Sequence, residues 1–395
     1  MTPTKRRKYS QKLEDDPAVT LEDSKKRINL ARSQASTRRH LQFFSMANKM
    51  KSLAMNKFFC VAMILICGNQ TTKAETRVCL KQTNNWLTSP IGRKHVDNVL
   101  TYQAADGCWP KNIDTTSHAY SGKPSDLKGT FDNGATVDEL RLLARAYAAT
   151  NQKRYEVAFQ RGLQCILDAQ YSNGGWPQSP KPGGYQKHIT FNDGTMIGLM
   201  RMLREVSSQK QYAFVNKSLR KRCNKAFELG IQCILACQIK VDGKLTAWCA
   251  QHDHKTFAPR GARSYEHASI SGSESAGIAM LLMSIEQPSE SIQKSVRSAV
   301  QWFEDSQLTG IRVQKTSDGD KQVIATNNGE PLWARFYEIN TNRPIFSGRD
   351  GVIQYELAMI ERERRNGYSW YGNAGKRVLD QWQECEWRLN GQQKF

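Results

Sequence analysis

The chain has 395 residues, of which 39% are hydrophobic, with 57 Lys/Arg against 37 Asp/Glu and a formal net charge of +20. That is enough apolar material for one large domain or two modest ones. The basic excess does not mark a nucleic-acid binder, because 13 of the Lys/Arg and only 5 of the acids stand in residues 1–54, and no nucleic-acid partner is expected.

In chain order, residues 1–54 carry a KRRK run, few large apolar residues and no clear period, which predicts a disordered basic segment. Residues 55–74, MNKFFCVAMILICGNQTTKA, set Lys57 before ten uninterrupted apolar residues, Phe58 to Cys67. A basic start, a short apolar run and the small residues Thr72 and Ala74 describe a secretory signal peptide cleaved near Ala74. The run is too short for a stable membrane span. A signal opens a protein, so translation is expected to start at Met55, Met46 or Met50; the other reading keeps residues 1–54 as a genuine long n-region. The mature chain, 75–395, is then secreted or periplasmic and forms one domain. Its eight cysteines show no dense framework and no CxxC, and Cys233 and Cys237, at i and i+4, predict core packing.

Four segments align on a glutamine: LTYQAADGCWP at Gln103, LDAQYSNGGWP at Gln170, LACQIKVDGKLTAW at Gln238 and EDSQLTGIRV at Gln307. Each ends an apolar helical stretch, and the spacing stays close to 68 residues. Between them run apolar stripes at helical spacing: Val137, Leu140, Ala144, Tyr147; Met196, Leu199, Met200, Leu203; and Ile278, Leu281, Leu282, Ile285. Repeats with two helices each predict stacked helix pairs. About four units favour closure over an open solenoid: a mainly-α fold, an α/α toroid (an incomplete (α/α)3 barrel), with only short β segments.

Two of the second helices open on nearly the same phrase, TFDNGA (130–135) and TFNDGT (190–195), with Asp and Asn exchanged. One such phrase is an ordinary helix start, since Asp and Asn cap helices and Gly accepts positive φ. Two at matching points of a repeat put Asp132 and Asp193 on one rim, with Asn133 and Asn192 beside them. Hard oxygen donors of this kind suit Ca²⁺, completed by water or by an acidic substrate. Further along, Trp248 in TAWCAQHDH offers a sugar-stacking face or a core ring. His252 and His254 lack a full zinc ligand set and are read as scaffold. Arg263 in GARSYEH, and Arg335, Arg343 and Arg349 in PLWARFYEINTNRPIFSGRDG, stand among aromatics and glycines in loops. A guanidinium fork grips a carboxylate bidentately, so several such arginines suggest an acidic substrate.

The blocks TFDNGAT, NGGWPQ, TFNDGTM, WCAQHD, RSYE, SGSES, PLWARFYEI, IFSGRDG and ERRNGYSWYG, in this order over roughly 80–395, resemble the family-10 polysaccharide lyases. These are pectate lyases on an α/α toroid that act on polygalacturonate by Ca²⁺-dependent β-elimination. The resemblance implies calcium ligands at Asp132 and Asp193, a catalytic base at Arg263, a substrate-carboxylate arginine at Arg349, and further substrate contacts at Arg335, Asn133 and Trp248. An arginine base is chemically uncomfortable, because guanidinium stays protonated far above neutrality. It predicts an alkaline optimum and an Arg263 held near calcium or other cations. A monomer is expected. The rival readings are an inverting glycosidase using Asp132 and Asp193 as its acid pair, a non-catalytic pectin-binding protein, and a terpene cyclase, which lacks its acid-rich motif here.

Overall fold

The computed structural model describes residues 72–385 and 387. The basic segment 1–54 and residues 55–71 of the signal-like run lie outside the described residues. Gln70–Phe395 group into one compact unit, whose described part is rich in helix, with short strands between.

The helices are α1 (Thr72–Leu80), α2 (Asn84–Thr88), α3 (Pro90–Thr101), α4 (Val137–Thr150), α5 (Lys153–Asp168), α6 (Thr195–Ser208), α7 (Lys217–Cys237), α8 (Gly272–Met283), α9 (Glu290–Asp305), α10 (Arg362–Gly367) and α11 (Ala374–Gln383). Local chemistry starts several of them. Ser89 accepts from Gly92 N and precedes Pro90, Asn216 accepts from Leu219 N, and Ser289 accepts from Ile292 N. Packing follows the chain in pairs: α4 on α5, α6 on α7, and α8 on both α9 and α11. The expected apolar stripes face inward. Val137, Leu140, Ala144, Met196, Leu199, Met200, Leu203, Ile278, Leu281 and Leu282 are all buried, while α8 ends at Met283, before Ile285.

Three of the four aligned glutamines close their repeats in the same way. Gln103 Nε2 donates to Gly107 O and Ala158 O, Gln170 Nε2 to Gly174 O and Ala226 O, and Gln238 Nε2 to Thr246 O and Ser295 O. Each amide therefore ties its own turn to the next helix of the α3, α5, α7, α9 series. A tryptophan follows each time. Trp109, Trp176, Trp248 and Trp333 donate their indole N–H to Val99 O, Ile166 O, Ile234 O and Phe303 O, at the end of the helix just before. A buried indole needs a partner for its one donor, and these carbonyls supply it. Truncating one of these rings to alanine would cost about 3–5 kcal/mol. Gly162 and Gly230 make room for them: a Cβ would come within 2.8 Å of the Trp109 ring at Gly162, and within 3.2 Å of the Trp176 ring at Gly230.

The sheets are small, as expected. The longest pairing is the Ile311–Lys315/Lys321–Ala325 hairpin, and the others join segments of two residues. A disulfide joins Cys108, just before Trp109, to Cys165 on α5. Cys233 and Cys237 are buried in the core, as their helical spacing predicts. No helix among the described residues is long and apolar enough to cross a membrane.

Candidate active site

The two near-identical phrases fold alike. Asp132–Gly134 and Asn192–Gly194 each form a single 3-10 turn, and the two turns pack against each other. In each, the middle residue is left-handed, Asn133 at φ 62° and Asp193 at φ 52°, and a left-handed glycine follows. Asn and Asp tolerate that region better than other residues with a Cβ. The exchange of Asp and Asn thus has a structural meaning. Asp132 and Asn192 occupy the buried slot, whereas Asn133 and Asp193 occupy the outer one. The two acids are not symmetric: the Asp132 side chain is 3% exposed and that of Asp193 36%.

A third copy of this helix start lies at Ser269–Ser275, in the block SGSES. Ser275 Oγ accepts from Trp248 N at 2.9 Å, as Thr136 Oγ1 accepts from Trp109 N at 2.9 Å. It contributes Glu274, a buried carboxylate that accepts from Ser271 Oγ.

The residue two places after each repeat tryptophan bridges these turns. The carbonyls of Gln178, Ala250 and Arg335 accept from Phe131 N, Phe191 N and Gly272 N respectively. The equivalent position after Trp109 is Lys111, whose ammonium pairs with Asp132 Oδ2. Asp132 Oδ1 is buried without a hydrogen-bond partner. Arg335 points into the acids. Its Nη2 lies 2.9 Å from Glu274 Oε1, 3.1 Å from Asn192 Oδ1 and 3.6 Å from Asp193 Oδ1, and its side chain is 11% exposed. Burial alone would weaken its hold on the proton. The nearby Glu274, Tyr368, Asp193 and Glu266 outweigh that effect and raise its pKa.

Tyr368 joins this group to Arg263. Its ring lies under both guanidiniums, 4.6 Å from Arg335 and 5.9 Å from Arg263, and its hydroxyl donates to Glu266 at 2.8 Å. Arg263 forms a two-pronged pair with the buried Glu266, at 2.7 Å through Nε and more closely through Nη2. It also lies 4.8 Å over the Tyr265 ring. The Glu266 pair raises the Arg263 pKa. Two cations do stand nearby as expected, Arg335 on the shared Tyr368 ring and Arg364 on Tyr265 and Tyr368, but the nearest partner of Arg263 is an anion that holds its proton, Glu266, three residues along the same turn. Arg349 is carried by the adjoining loop, where its carbonyl accepts from Ser264 Oγ at 2.9 Å. Its guanidinium, 64% exposed, pairs with Glu363 at 2.9 and 3.0 Å. Glu363 also takes Arg364, which stacks on Tyr265 and Tyr368.

The structure therefore gathers Asp193, Arg263, Arg335 and Arg349 into one network, with Asp132 and Asn133 on the neighbouring turn. Trp248 is the exception. It is 0% exposed, its indole spent on Ile234 O, so no face is left for a sugar and the stacking expectation is overturned. Arg343 stacks over Tyr355 at 3.8 Å. His252 is scaffold as read: buried, with Nε2 accepting from Cys249 N and Nδ1 bonded to Phe257 O, and its pKa lowered by burial to about 4. Lys111, Glu266, Glu274, Glu363 and Tyr368 were not singled out from sequence. For Lys111 a signal existed, since it and Arg335 stand at the same place after a repeat tryptophan.

Behind the first turn, Glu139 on α4 is buried beside Thr76, which donates to Oε1 at 3.3 Å, while Oε2 has no hydrogen-bond partner. Burial, reinforced by Asp138, pushes its pKa up to about 7.

A helix-rich fold whose loops gather arginines, paired acids and stacked tyrosines defines an enzyme for a carboxylate-bearing substrate. The model of the pectic acid lyase family matches residues 103–379. A family 10 polysaccharide lyase from Cellvibrio cellulosa is 36% identical, aligned over 80% of this chain and 97% of its own, with a TM-score of 0.69. A mutant of a family 10 polysaccharide lyase from the same organism, in complex with trigalacturonic acid, is 34% identical over 77% of this chain and 99% of that one, also at 0.69. No curated protein matches the chain. The chain belongs to the pectic acid lyase family and is a pectate lyase.

Proposed function

We propose that this lyase cleaves α-1,4-linked polygalacturonate by calcium-dependent β-elimination, leaving a 4,5-unsaturated sugar at the new non-reducing end. The observation that carries the calcium assignment is Asp132 Oδ1, a buried carboxylate oxygen with no hydrogen-bond partner, on a turn packed against that of Asp193. Asp132 already meets Lys111 through Oδ2, and a buried Oδ1 left without a partner is costly unless a further donor or a cation completes it. Asp132 and Asp193 would hold Ca²⁺, with substrate carboxylates supplying further oxygens; when bound, the ion would withdraw charge from the C6 carboxylate and acidify the C5 proton.

The remaining steps fall to side chains. Arg349 is the residue freest to meet a substrate carboxylate, because an exposed pair such as that with Glu363 is worth only about 0–1 kcal/mol and is readily exchanged. Arg335 spends Nη2 on Glu274, Asn192 and Asp193, so it orients Asp193 as well as facing substrate. Asn133, on the outer slot, is assigned a substrate contact. Arg263 takes the C5 proton; the C5–H electrons form the C4–C5 double bond, and the C4–O4 pair leaves with O4, which is reprotonated from water. As a base Arg263 must first lose the proton that Glu266 helps it hold, which favours alkaline conditions. The pairwise helix packing supports an α/α toroid. The Cys108–Cys165 disulfide supports a secreted or periplasmic location.

The test is the ultraviolet absorbance of unsaturated product over polygalacturonate at alkaline pH, with Ca²⁺ and then with chelator. A rise that chelator abolishes supports the reading. A rise that chelator leaves intact removes calcium, and reducing ends without absorbance would mean hydrolysis.

A further inference from the structure

A second group of ligand-bearing side chains lies apart from the acids and arginines. His188, Asp253 and His254 each offer one ligand atom, and the three atoms lie within 4.8 Å of one another. Strand pairing puts them there. Ile189 pairs with His252 and Thr190 with Gln251, antiparallel, so the same register carried one step further sets His188 opposite Asp253. Asn173 Nδ2 donates to His254 O at 2.8 Å, and the Tyr171 ring lies 5.4 Å from the His254 ring; both contacts help to fix the second imidazole.

What sets this cluster apart is an absence of partners. Nδ1 of His188 and Nδ1 of His254 are both buried, and neither has a hydrogen-bond partner. Two buried imidazole nitrogens without partners in one cluster are expensive unless something accepts their lone pairs or protons. Asp253 Oδ1 accepts from the backbone N–H groups of Lys255 and Thr256, each at 3.0 Å, which fixes the orientation of its carboxylate. Its Oδ2 meets the half-exposed Arg260 at 3.2 Å, a surface contact that costs little to displace.

We propose that His188, Asp253 and His254 form a binding site for a borderline divalent transition ion, Zn²⁺ in the first place, with two imidazole nitrogens, one carboxylate oxygen and an open position for water. Imidazole with carboxylate suits Zn²⁺, Ni²⁺ and Cu²⁺, whereas Ca²⁺ takes oxygen ligands, so the site is chemically distinct from that of Asp132 and Asp193. The ion would pin the strand at 189–190, which ends three residues ahead of Asp193, to the strand at 251–252, and so stiffen the approach to the second turn.

The test uses the full chain, stripped with chelator and kept in excess Ca²⁺ so that oxygen sites are filled. Co²⁺ is added as a spectroscopic stand-in for Zn²⁺. The expected result is one Co²⁺ per chain, with the intense visible absorption of a low-symmetry, nitrogen-ligated ion, displaced by Zn²⁺ and unaffected by further Ca²⁺. His188→Gln and His254→Gln should each weaken binding about tenfold or more and abolish the Zn²⁺-induced rise in thermal midpoint, with lyase turnover in Ca²⁺ unchanged. Two glutamine variants are used because either keeps the size and polarity of the ring it replaces, and circular dichroism checks that both are folded. Absence of Co²⁺ binding, the weak spectrum of an all-oxygen site, or unaltered affinity in both folded variants would overturn the proposal.

Discussion

The turns at 132–134 and 192–194 share a backbone and differ in where the charge goes. In the first, the acid is buried against Lys111 and the amide is on the rim; in the second, the amide is buried and the acid is outside, within reach of Arg335. Two buried aspartates side by side would each have to shed hydration and then repel one another. One buried and one outer acid can converge on a cation while only one bears the full desolvation cost. The duplicated phrase therefore supplies a duplicated backbone, and the exchange of Asp and Asn turns that symmetry into a site with an inside and an outside.

The comparison can be broken first at the residue both turns are proposed to serve. Arg263→Ala should lower kcat by about 10³-fold or more, while calorimetry finds Ca²⁺ binding unchanged; loss of both together would make Arg263 a structural residue. Next, Asp132→Asn makes the first turn resemble the second. It should raise the Ca²⁺ concentration needed for half-maximal turnover by roughly 10–100-fold. Asn192→Ala, altering the buried slot of the other turn, should change that requirement far less. Equal effects would mean that the slots are equivalent after all.

Glu266→Gln sharpens the account of the base. Glu266 raises the Arg263 pKa, so its removal should move the activity limb assigned to Arg263 to lower pH, on the order of one unit. An unmoved limb would show that some other group titrates. The smallest effect on turnover should come from Glu139→Gln, behind the first turn only. Glu139 titrates near 4.5 unfolded and about 7 folded, so its burden on the fold is absent below the first value, grows between them and is complete above the second. The variant should match wild type in acid and exceed it by about 3 kcal/mol above neutrality. Denaturant unfolding at both ends of that range is the check, and a pH-independent difference would contradict it.

Much of the frame was legible because the repeat has a physical cause. A buried glutamine amide and a buried indole each need fixed partners, so the same bonds recur even where the loop between the two residues lengthens, as from Gln103–Trp109 to Gln238–Trp248. The same logic decides for the core between the two readings of Trp248, since it stands after Gln238 as Trp109 and Trp176 stand after Gln103 and Gln170. Lys111 was missed although it occupies the Arg335 position of its own repeat. Tyr368 and Glu363 could not have been read from spacing, because they reach Arg263 and Arg349 from a separate part of the chain. His254 looked incomplete as a ligand because His188 joins it only through strand register.

The most direct test of the central claim follows unsaturated product by ultraviolet absorbance as Ca²⁺ is titrated into chelator-stripped enzyme, with wild type and Asp132→Asn side by side. The account predicts no product without Ca²⁺, full recovery on adding it, and a variant that needs far more of the ion to reach the same rate. Product formation indifferent to Ca²⁺, or an Asp132→Asn curve lying on that of wild type, would contradict it.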